Sequence, residues 1–198
     1  LLVGGCTRDY WLNKTIKDID IEVFSIESYE SLAQILSRFG RINRVGKQFS
    51  VLKLSTDGLE LDFSLPRKET KVSQGHTGFH VSTDSTMAYE EAASRRDFTI
   101  NSIGYNPIKK EWLDPFNGIQ DIKNKILKHI GPSFAEDPLR VYRAIQFAAR
   151  FEFDIDTHTQ SLIKQMPLNE LPKERIFEEF KKLLLQANKP SIGFEWLR

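Results

Sequence analysis

Cysteine is nearly absent from this chain, as are long apolar runs and any excess of charge of one sign. Cys6 is the only cysteine among 198 residues, which excludes an intrachain disulfide and a cysteine-based metal site. No apolar run approaches the roughly 18 residues that span a bilayer, and no signal peptide is evident. The expectation is a cytoplasmic protein with no membrane partner. Lysine and arginine number 28 against 27 acids, a formal net charge of +1, so no global basic field draws the chain to nucleic acid. Any such binding would need a local groove. With 40% hydrophobic and 28% charged residues, and no low-complexity segment, the composition is that of a soluble globular chain with one good core or two small ones. The sequence opens in an apolar stretch without methionine and closes on Phe194-Glu195-Trp196-Leu197-Arg198, and the expectation is a fragment.

The most informative stretch is the first one. Leu1-Leu2-Val3 reads as a strand running into Gly4-Gly5, then Cys6-Thr7-Arg8-Asp9, and farther on Lys17-Asp18-Ile19-Asp20-Ile21-Glu22-Val23-Phe24. Asp18 and Asp20 are two apart, which on a strand puts both on one face while Ile19, Ile21 and Val23 face a core. Two carboxylates side by side repel unless a cation sits between them. Glycine lets backbone approach a phosphate closely, and exposed N–H groups there attract anions. A phosphate cradle beside a carboxylate pair is the equipment of nucleotide chemistry, although a solvated strand face with two acids has the same local sequence.

Farther along, Leu32, Ile35, Leu36 and Phe39 have helical spacing within 28–39, with Gly40 as a stop. Strands are expected over 42–45 and 49–54, separated by Gly46-Lys47, and over 59–65 after the hairpin signal Asp57-Gly58. Asp62 falls on that last strand, as either a third ligand or an ordinary strand acid. Residues 66–88 read as a long mobile loop; His76 and His80 within it lack the helix that would make them a metal pair. A helix is expected over 89–103, containing Arg95-Arg96-Asp97-Phe98-Thr99-Ile100-Asn101. A strand-like Trp112-Leu113 and the turn Asp114-Pro115-Phe116-Asn117-Gly118 follow, with 121–127 as a connector. Ser133-x-x-Glu136 reads as a capping box opening a helix to about residue 151, with Pro138 in its first turn. Two more helices are expected over 157–166 and 172–187. The fold class is α+β with a mixed sheet: a head over 1–127, then an all-helical neck over 128–198.

Three constellations could do chemistry. Asp18 and Asp20, with Asp62, suit divalent ions that promote phosphoryl or nucleotidyl transfer, and Mg²⁺ needs only two or three carboxylates because water and phosphate complete its shell. Arg96, Asp97 and Asn101 form a dense polar cluster whose arginine forks suit triphosphate or ribose oxygens. Asp137 and Arg140, i and i+3 on one helix with Arg143 continuing the row, are either a surface ion pair or a base reader. A carboxylate accepting beside a guanidinium donating matches an amino group next to a ring-nitrogen acceptor. Cytosine and adenine offer that edge; uracil and guanine would leave buried charges unpaired.

Taken in order, Leu2-Val3-Gly4-Gly5-x-x-Arg8-Asp9, Asp18-x-Asp20, Arg95-Arg96-Asp97-Phe98-Thr99-x-Asn101, Asp114-Pro115-x-x-Gly118 and Glu136-Asp137-x-x-Arg140-x-x-Arg143 resemble the successive motifs of class II tRNA nucleotidyltransferases. These comprise the CCA-adding enzymes and their CC-adding, A-adding and poly(A)-polymerase relatives. The resemblance implies a polymerase-β-like nucleotidyltransferase head and a helical neck, with body and tail domains absent. It implies Mg²⁺ on Asp18 and Asp20. It further implies nucleotide contacts from Gly4, Gly5, Arg8, Arg96, Asp97, Asn101 and Arg143, and a protein template made of Asp137 and Arg140. CTP and ATP would be the nucleotides and the tRNA 3′ end the acceptor. Two departures stand out: Gln146 occupies a position where the family often has arginine, and Asp62 one where some relatives have glutamate. A catalytically idle RNA-binding module and a small-molecule nucleotidyltransferase are the rival readings.

Overall fold

The structure is a computed structural model describing residues 1–45, 51–71, 79–169 and 171–197. The chain folds as two units: Leu1–Ala93 with Asn101–Pro115, and Ser94–Ile100 with Phe116–Arg198. The second unit thus includes 94–100 and 116–127, which the sequence reading placed in the head.

The first unit is built on a mixed sheet. In chain order it contains β1 (Leu2–Val3), α1 (Gly5–Trp11), β2 (Ile19–Glu22), α2 (Tyr29–Leu36), β3 (Arg41–Val45), β4 (Val51–Thr56), β5 (Leu59–Ser64), β6 (Arg67–Lys71), β7 (Phe79–Thr83), α3 (Tyr89–Ser94), β8 (Gly104–Asn106) and β9 (Glu111–Leu113). Seven strands pair in the order β3-β4-β5-β2-β1-β8-β9. Only β2 and β5 run parallel; every other neighbouring pair in this sheet is antiparallel. The register sorts the side chains into two faces. Leu52, Phe63, Ile21, Leu2, Tyr105 and Trp112 line up across one face, and Lys53, Asp62, Asp20, Val3, Gly104 and Leu113 across the other. Helix α2 packs Leu32, Ala33 and Leu36 against Leu52, Leu54 and Leu65. Its N-cap is Ser28, whose Oγ accepts from the Ser31 N–H at 3.1 Å. The Asp57-Gly58 turn has both φ angles positive, as a tight hairpin requires. Gly104 is needed for a different reason. A Cβ there would lie 2.5 Å from the Tyr89 ring, which is held by donation of the Tyr89 hydroxyl to the Ser102 carbonyl at 2.8 Å.

The loop expected over 66–88 is in part a hairpin: β6 and β7 pair antiparallel with Lys71 opposite Phe79. His80 lies on β7, and His76 and Gly46-Lys47 fall outside the described residues. The helix expected over 89–103 is broken. It ends at Ser94, and Thr99–Asn101 is a separate 3-10 turn. The break has a local cause, because Asp97 Oδ1 accepts from the Phe98 N–H at 2.8 Å, a side-chain substitute for a helical bond. It also has a tertiary cause. Phe98 forms an antiparallel bridge with His129, and the Thr99 N–H donates to the Lys128 carbonyl at 2.9 Å.

Among its described residues the second unit is mainly helical; besides the Phe98–His129 bridge it has one short parallel pair, β10 (Ile126–Leu127) with β11 (Asp154–Ile155). Its helices are α4 (Gly118–Asn124), α5 (Leu139–Phe151), α6 (Thr157–Ile163), α7 (Lys173–Gln186) and α8 (Pro190–Trp196). The segment read as a connector over 121–127 is α4 and β10; Lys125 ends the helix in the left-handed conformation. Phe98 is fully buried with its ring 5.3 Å from Phe134 and 5.8 Å from Phe147. Burying such a side chain stabilises the unit by about 1.5–3 kcal/mol. The Ser133–Glu136 capping box does not form. Pro132–Glu136 is a 3-10 turn, and Ser133 Oγ donates instead to the Ser94 carbonyl at 3.3 Å. Pro138 explains the difference: the residue before proline avoids the helical region, and Asp137 is extended, at φ −119° and ψ 101°. Helix α5 starts only after it, with Asp137 Oδ1 accepting from the Leu139 N–H at 3.0 Å. Among the described residues no helix is long and apolar enough to cross a membrane.

Candidate active site

In the first unit the carboxylates gather where β1 and β2 begin to part. Asp20 sits in β2 with Val3 of β1 opposite on one side and Asp62 of β5 opposite on the other. Directly opposed residues of neighbouring strands share a face, so Asp62 and Asp20 are neighbours. The pairing of Val3 with Asp20 also brings the chain to its Gly4 turn at the level of Ile19, next to Asp18. Asp18 is exposed and lies one residue before the strand, so it shares no ladder with Asp20 as the alternation suggested. Lys53, opposite Asp62 on β4, pairs with it at 3.1 Å from Nζ to Oδ2. Asp62, first by hydrogen bond and then by charge, raises the Lys53 pKa, and Glu60 and Asp18 add to this.

This donor set consists of carboxylate oxygens, the chemistry that suits a hard divalent ion such as Mg²⁺. Among the described residues no three His, Cys, Asp or Glu side chains converge as a metal cluster. Asp20 and Asp62 lie opposite each other in register, Asp62 is engaged by Lys53, and Asp18 lies one residue before the strand.

The glycine turn is a genuine backbone constraint. Gly4 has φ 72° and ψ −126°, a conformation that side chains with a Cβ rarely adopt. At Gly5 a Cβ would meet only Arg8 Nη2, at 3.6 Å, so packing within the fold does not demand glycine there. Arg8 is buried and held on two sides. Its Nε and Nη2 reach Asp9 Oδ1 at 2.8 and 2.7 Å, and Nη1 donates to Asn101 Oδ1 at 2.8 Å. Thr7 Oγ1 donates to the Ile103 carbonyl at 2.8 Å, tying α1 to the same segment. Thus Gly4, Gly5, Arg8 and Asn101 come together. Asp9, which fixes Arg8, was visible in the sequence only as its charged neighbour.

The second unit gathers the rest. Arg96 is half-buried on the bend between α3 and the 3-10 turn. Asp97 is buried, and its Oδ2 accepts from Arg143 Nε at 2.8 Å and Nη2 at 2.6 Å. Arg143 Nη1 also lies 3.9 Å from Glu179 Oε1 on α7. Burial pulls the Arg143 pKa down, but Asp97, then Glu179 and Asp137, outweigh it, and the net shift is upward. The guanidinium is therefore charged at every accessible pH.

The side chains of Asp137 and Arg140 are bonded to other groups and not to each other. Asp137 is extended and precedes the helix; only its carbonyl joins the first turn, accepting from the Arg140 N–H at 3.0 Å. Its Oδ2 accepts from Arg175 Nη2 of α7 at 2.9 Å. Arg140 donates from Nη1 to the Ser133 carbonyl at 2.9 Å and from Nη2 to the Arg95 carbonyl at 2.7 Å, with its guanidinium 5.8 Å from the Phe134 ring centre. Two of five arginine N–H donors and two of about four carboxylate lone-pair sites are engaged in these bonds. Both groups are held from behind and keep capacity for a ligand. Arg175 and Glu179 had no distinguishing signal in the sequence, where they are two charges on an amphipathic helix. The α7 surface that supports Asp137 and Arg143 exists only in three dimensions. Gln146, the departure from the expected arginine, is fully buried on α5, and neither amide atom has a hydrogen-bond partner.

Known proteins resemble the chain over its whole length. A family model described as the poly A polymerase head domain matches residues 1–128, and one described as the probable RNA and SrmB-binding site of polymerase A matches 152–198. The multifunctional CCA protein of Neisseria meningitidis serogroup A is 38% identical over all of this chain and 46% of its own length. That of Psychromonas ingrahamii is also 38% identical, over all of this chain and 47% of its own. Among solved structures, the Bacillus stearothermophilus CCA-adding enzyme in complex with CTP aligns with a TM-score of 0.82 at 27% identity, over 99% of this chain and 46% of the other. A tRNA nucleotidyltransferase complexed with a primer tRNA and an incoming ATP analog aligns with a TM-score of 0.78 at 29% identity, over 98% and 55%. The chain spans about half the length of the curated relatives it matches.

Proposed function

Because the chain belongs to the poly A polymerase head-domain family, we propose that it transfers CMP and AMP from CTP and ATP to the 3′ hydroxyl of tRNA, releasing pyrophosphate. The observation that carries this reading is the juxtaposition in the first unit of Asp20 and Asp62 in register, Asp18 at the strand entry, and the Gly4 turn beside them. Asp18 and Asp20 would hold Mg²⁺, which supplies activation of the attacking hydroxyl and neutralisation of the leaving pyrophosphate. Gly4 and Gly5 leave the backbone open to a triphosphate, and Arg8 adds positive charge fixed by Asp9 and Asn101. In the second unit the free capacity of Asp137 accepts the amino group of cytosine or adenine, and Arg140 donates to the ring nitrogen. Arg175 and the Leu139 N–H keep the Asp137 carboxylate from turning, so a uracil or guanine carbonyl would meet a fixed negative charge. Asp97, Arg143 and Arg96 support the nucleotide from the same unit. The cytoplasm is the proposed place of action, with the buried thiol of Cys6 unoxidised there.

The test is extension of three tRNAs, ending at the discriminator base, at C and at CC, by the full-length protein with each nucleotide separately, resolved on gels. Addition of C, C and A in turn supports the reading. Addition of C alone, of A alone, or of A tracts assigns the chain to a CC-adding, A-adding or poly(A)-forming relative. Absence of addition with retained RNA binding supports the idle module. Asp137→Ala should relax the choice among nucleotides while some transfer persists; loss of transfer with an unchanged choice would refute the template role.

A further inference from the structure

Four aromatic rings cluster in the first unit at the end of the sheet away from α2. Tyr105 and Trp112 face each other across β8 and β9, with ring centres 4.7 Å apart. Helix α1 sets Trp11 5.3 Å and Tyr10 5.1 Å from Trp112. Trp11, Tyr105 and Trp112 are partly buried, and they close this end of the apolar face. Tyr10 contributes less to that closure: it is 57% exposed, and its ring lies at 34° to Trp112. The two segments that carry these rings, α1 with the residues after it and the β8–β9 hairpin, also carry exposed cations. Lys14 follows the end of α1, and Lys109 and Lys110 occupy the tip of the β8–β9 hairpin, where Ile108 is 91% exposed. Of the two acids in these segments, Asp9 is bound to Arg8, and Glu111 stands 3.8 Å from Lys109.

We propose that Tyr10, together with Lys14, Lys109 and Lys110, forms a docking surface for an unpaired stretch of RNA. A ring backed by further aromatics offers a rigid face for base stacking, and flanking ammonium groups meet the phosphates on either side of that base. Charge separates this occupant from a protein partner. Protein interfaces also favour tyrosine and tryptophan but are depleted in lysine, whereas lysine is the commonest charge in the two segments that carry these rings. The net charge of +1 hid this surface because it is local. The proposal rests on the reading of the chain as an RNA-extending enzyme and places part of the RNA contact on the first unit, outside the residues assigned to nucleotide and metal.

The experiment measures tRNA binding by fluorescence anisotropy without nucleotide, and steady-state extension, using the full-length protein and its Tyr10→Ala, Tyr10→Phe and Lys109→Gln/Lys110→Gln variants. Loss of one stacked base weakens binding about tenfold or more. Tyr10→Ala should therefore raise the tRNA Kd and KM by about that factor while leaving kcat and the CTP KM unchanged, and Tyr10→Phe should behave as wild type. The double lysine variant removes two exposed charges and one exposed contact to Glu111, a change expected to leave stability within about 0.5 kcal/mol. Its binding should weaken, with a log–log salt slope shallower by about 0.7 per lysine. Unchanged tRNA affinity in the double variant and in a folded Tyr10→Ala would overturn the proposal. So would loss of a protein partner with RNA affinity intact. A wild-type protein that binds tRNA but adds nothing would sink the transferase reading, and the anisotropy would still decide the surface.

Discussion

Arg143→Ala should be among the most damaging single changes in the second unit, although the residue lies on a helix surface. Asp97 has a side chain only 8% exposed, and both guanidinium contacts go to its Oδ2. Without Arg143 the carboxylate keeps the Phe98 N–H as a donor to its other oxygen, and Glu179, also buried, loses its arginine neighbour. Breaking a buried pair by removing one partner costs about 3–5 kcal/mol. The Arg143 side chain is 31% exposed, so water screens part of the interaction and about 2–3 kcal/mol is the expected loss. With a urea m-value near 3 kcal/mol/M, the upper part of the usual range, the midpoint should fall by about 1 M. Arg143→Lys should recover part of this, since an ammonium restores the charge but not the two-pronged geometry. Asp97→Asn should cost less than Arg143→Ala because the guanidinium it leaves is partly exposed and still has Glu179 beside it. Combined with Arg143→Ala, it should show a coupling above about 1 kcal/mol. Urea unfolding followed by circular dichroism gives all four values. A loss below about 0.5 kcal/mol for Arg143→Ala, the level of an ordinary surface change, would refute the reasoning, as would a coupling near zero.

Other expectations follow from single groups. Burial holds the His129 pKa below its ordinary 6.5, so the folded state binds fewer protons than the unfolded one at and below that value. Its stabilisation is complete above about pH 6.5 and is lost as pH falls through the depressed value; unfolding free energies from about pH 7.5 to 5 should decline more steeply in wild type than in His129→Gln. Gly104→Ala places a methyl group 2.5 Å from the Tyr89 ring, which can move only by giving up its bond to the Ser102 carbonyl. A loss of about 1–3 kcal/mol, read as a lower Tm, is expected, and an unchanged Tm would show that the ring is free to shift.

The parts of the fold set by local periodicity were legible in the sequence, and the parts set by competition were not. Helix α2 followed from its apolar spacing within 28–39, and the Asp57-Gly58 hairpin from its turn signal. Helix α5 was found, but its start was misplaced by a capping-box pattern that Pro138 overrides. The 89–103 segment has helical apolar spacing, yet Asp97 binds its own backbone and Phe98 is drawn into a core formed with Phe134 and Phe147, residues far away in sequence. The β6–β7 hairpin was hidden because its strands are polar. At the site, the acids, glycines and arginines could be named individually from their motifs. Their partners could not: Lys53 beside Asp62, Arg175 behind Asp137 and Glu179 beside Arg143 come from other elements, and no spacing rule joins them. Asp137 and Arg140 were expected to act as a pair along one helix. They sit at a proline-broken helix entry instead, each fixed separately.

The most direct test of the account is Mg²⁺-dependent release of pyrophosphate from CTP on tRNA by full-length wild type, Asp18→Ala and Asp20→Ala, each checked for folding by circular dichroism. If these two carboxylates hold the ion, each variant should keep its fold and lose about a thousandfold or more in turnover, the equivalent of several kcal/mol of transition-state stabilisation. Turnover within a few-fold of wild type in either folded variant would contradict the assignment of the metal to that residue, and in both variants would remove the chemical centre proposed for this chain.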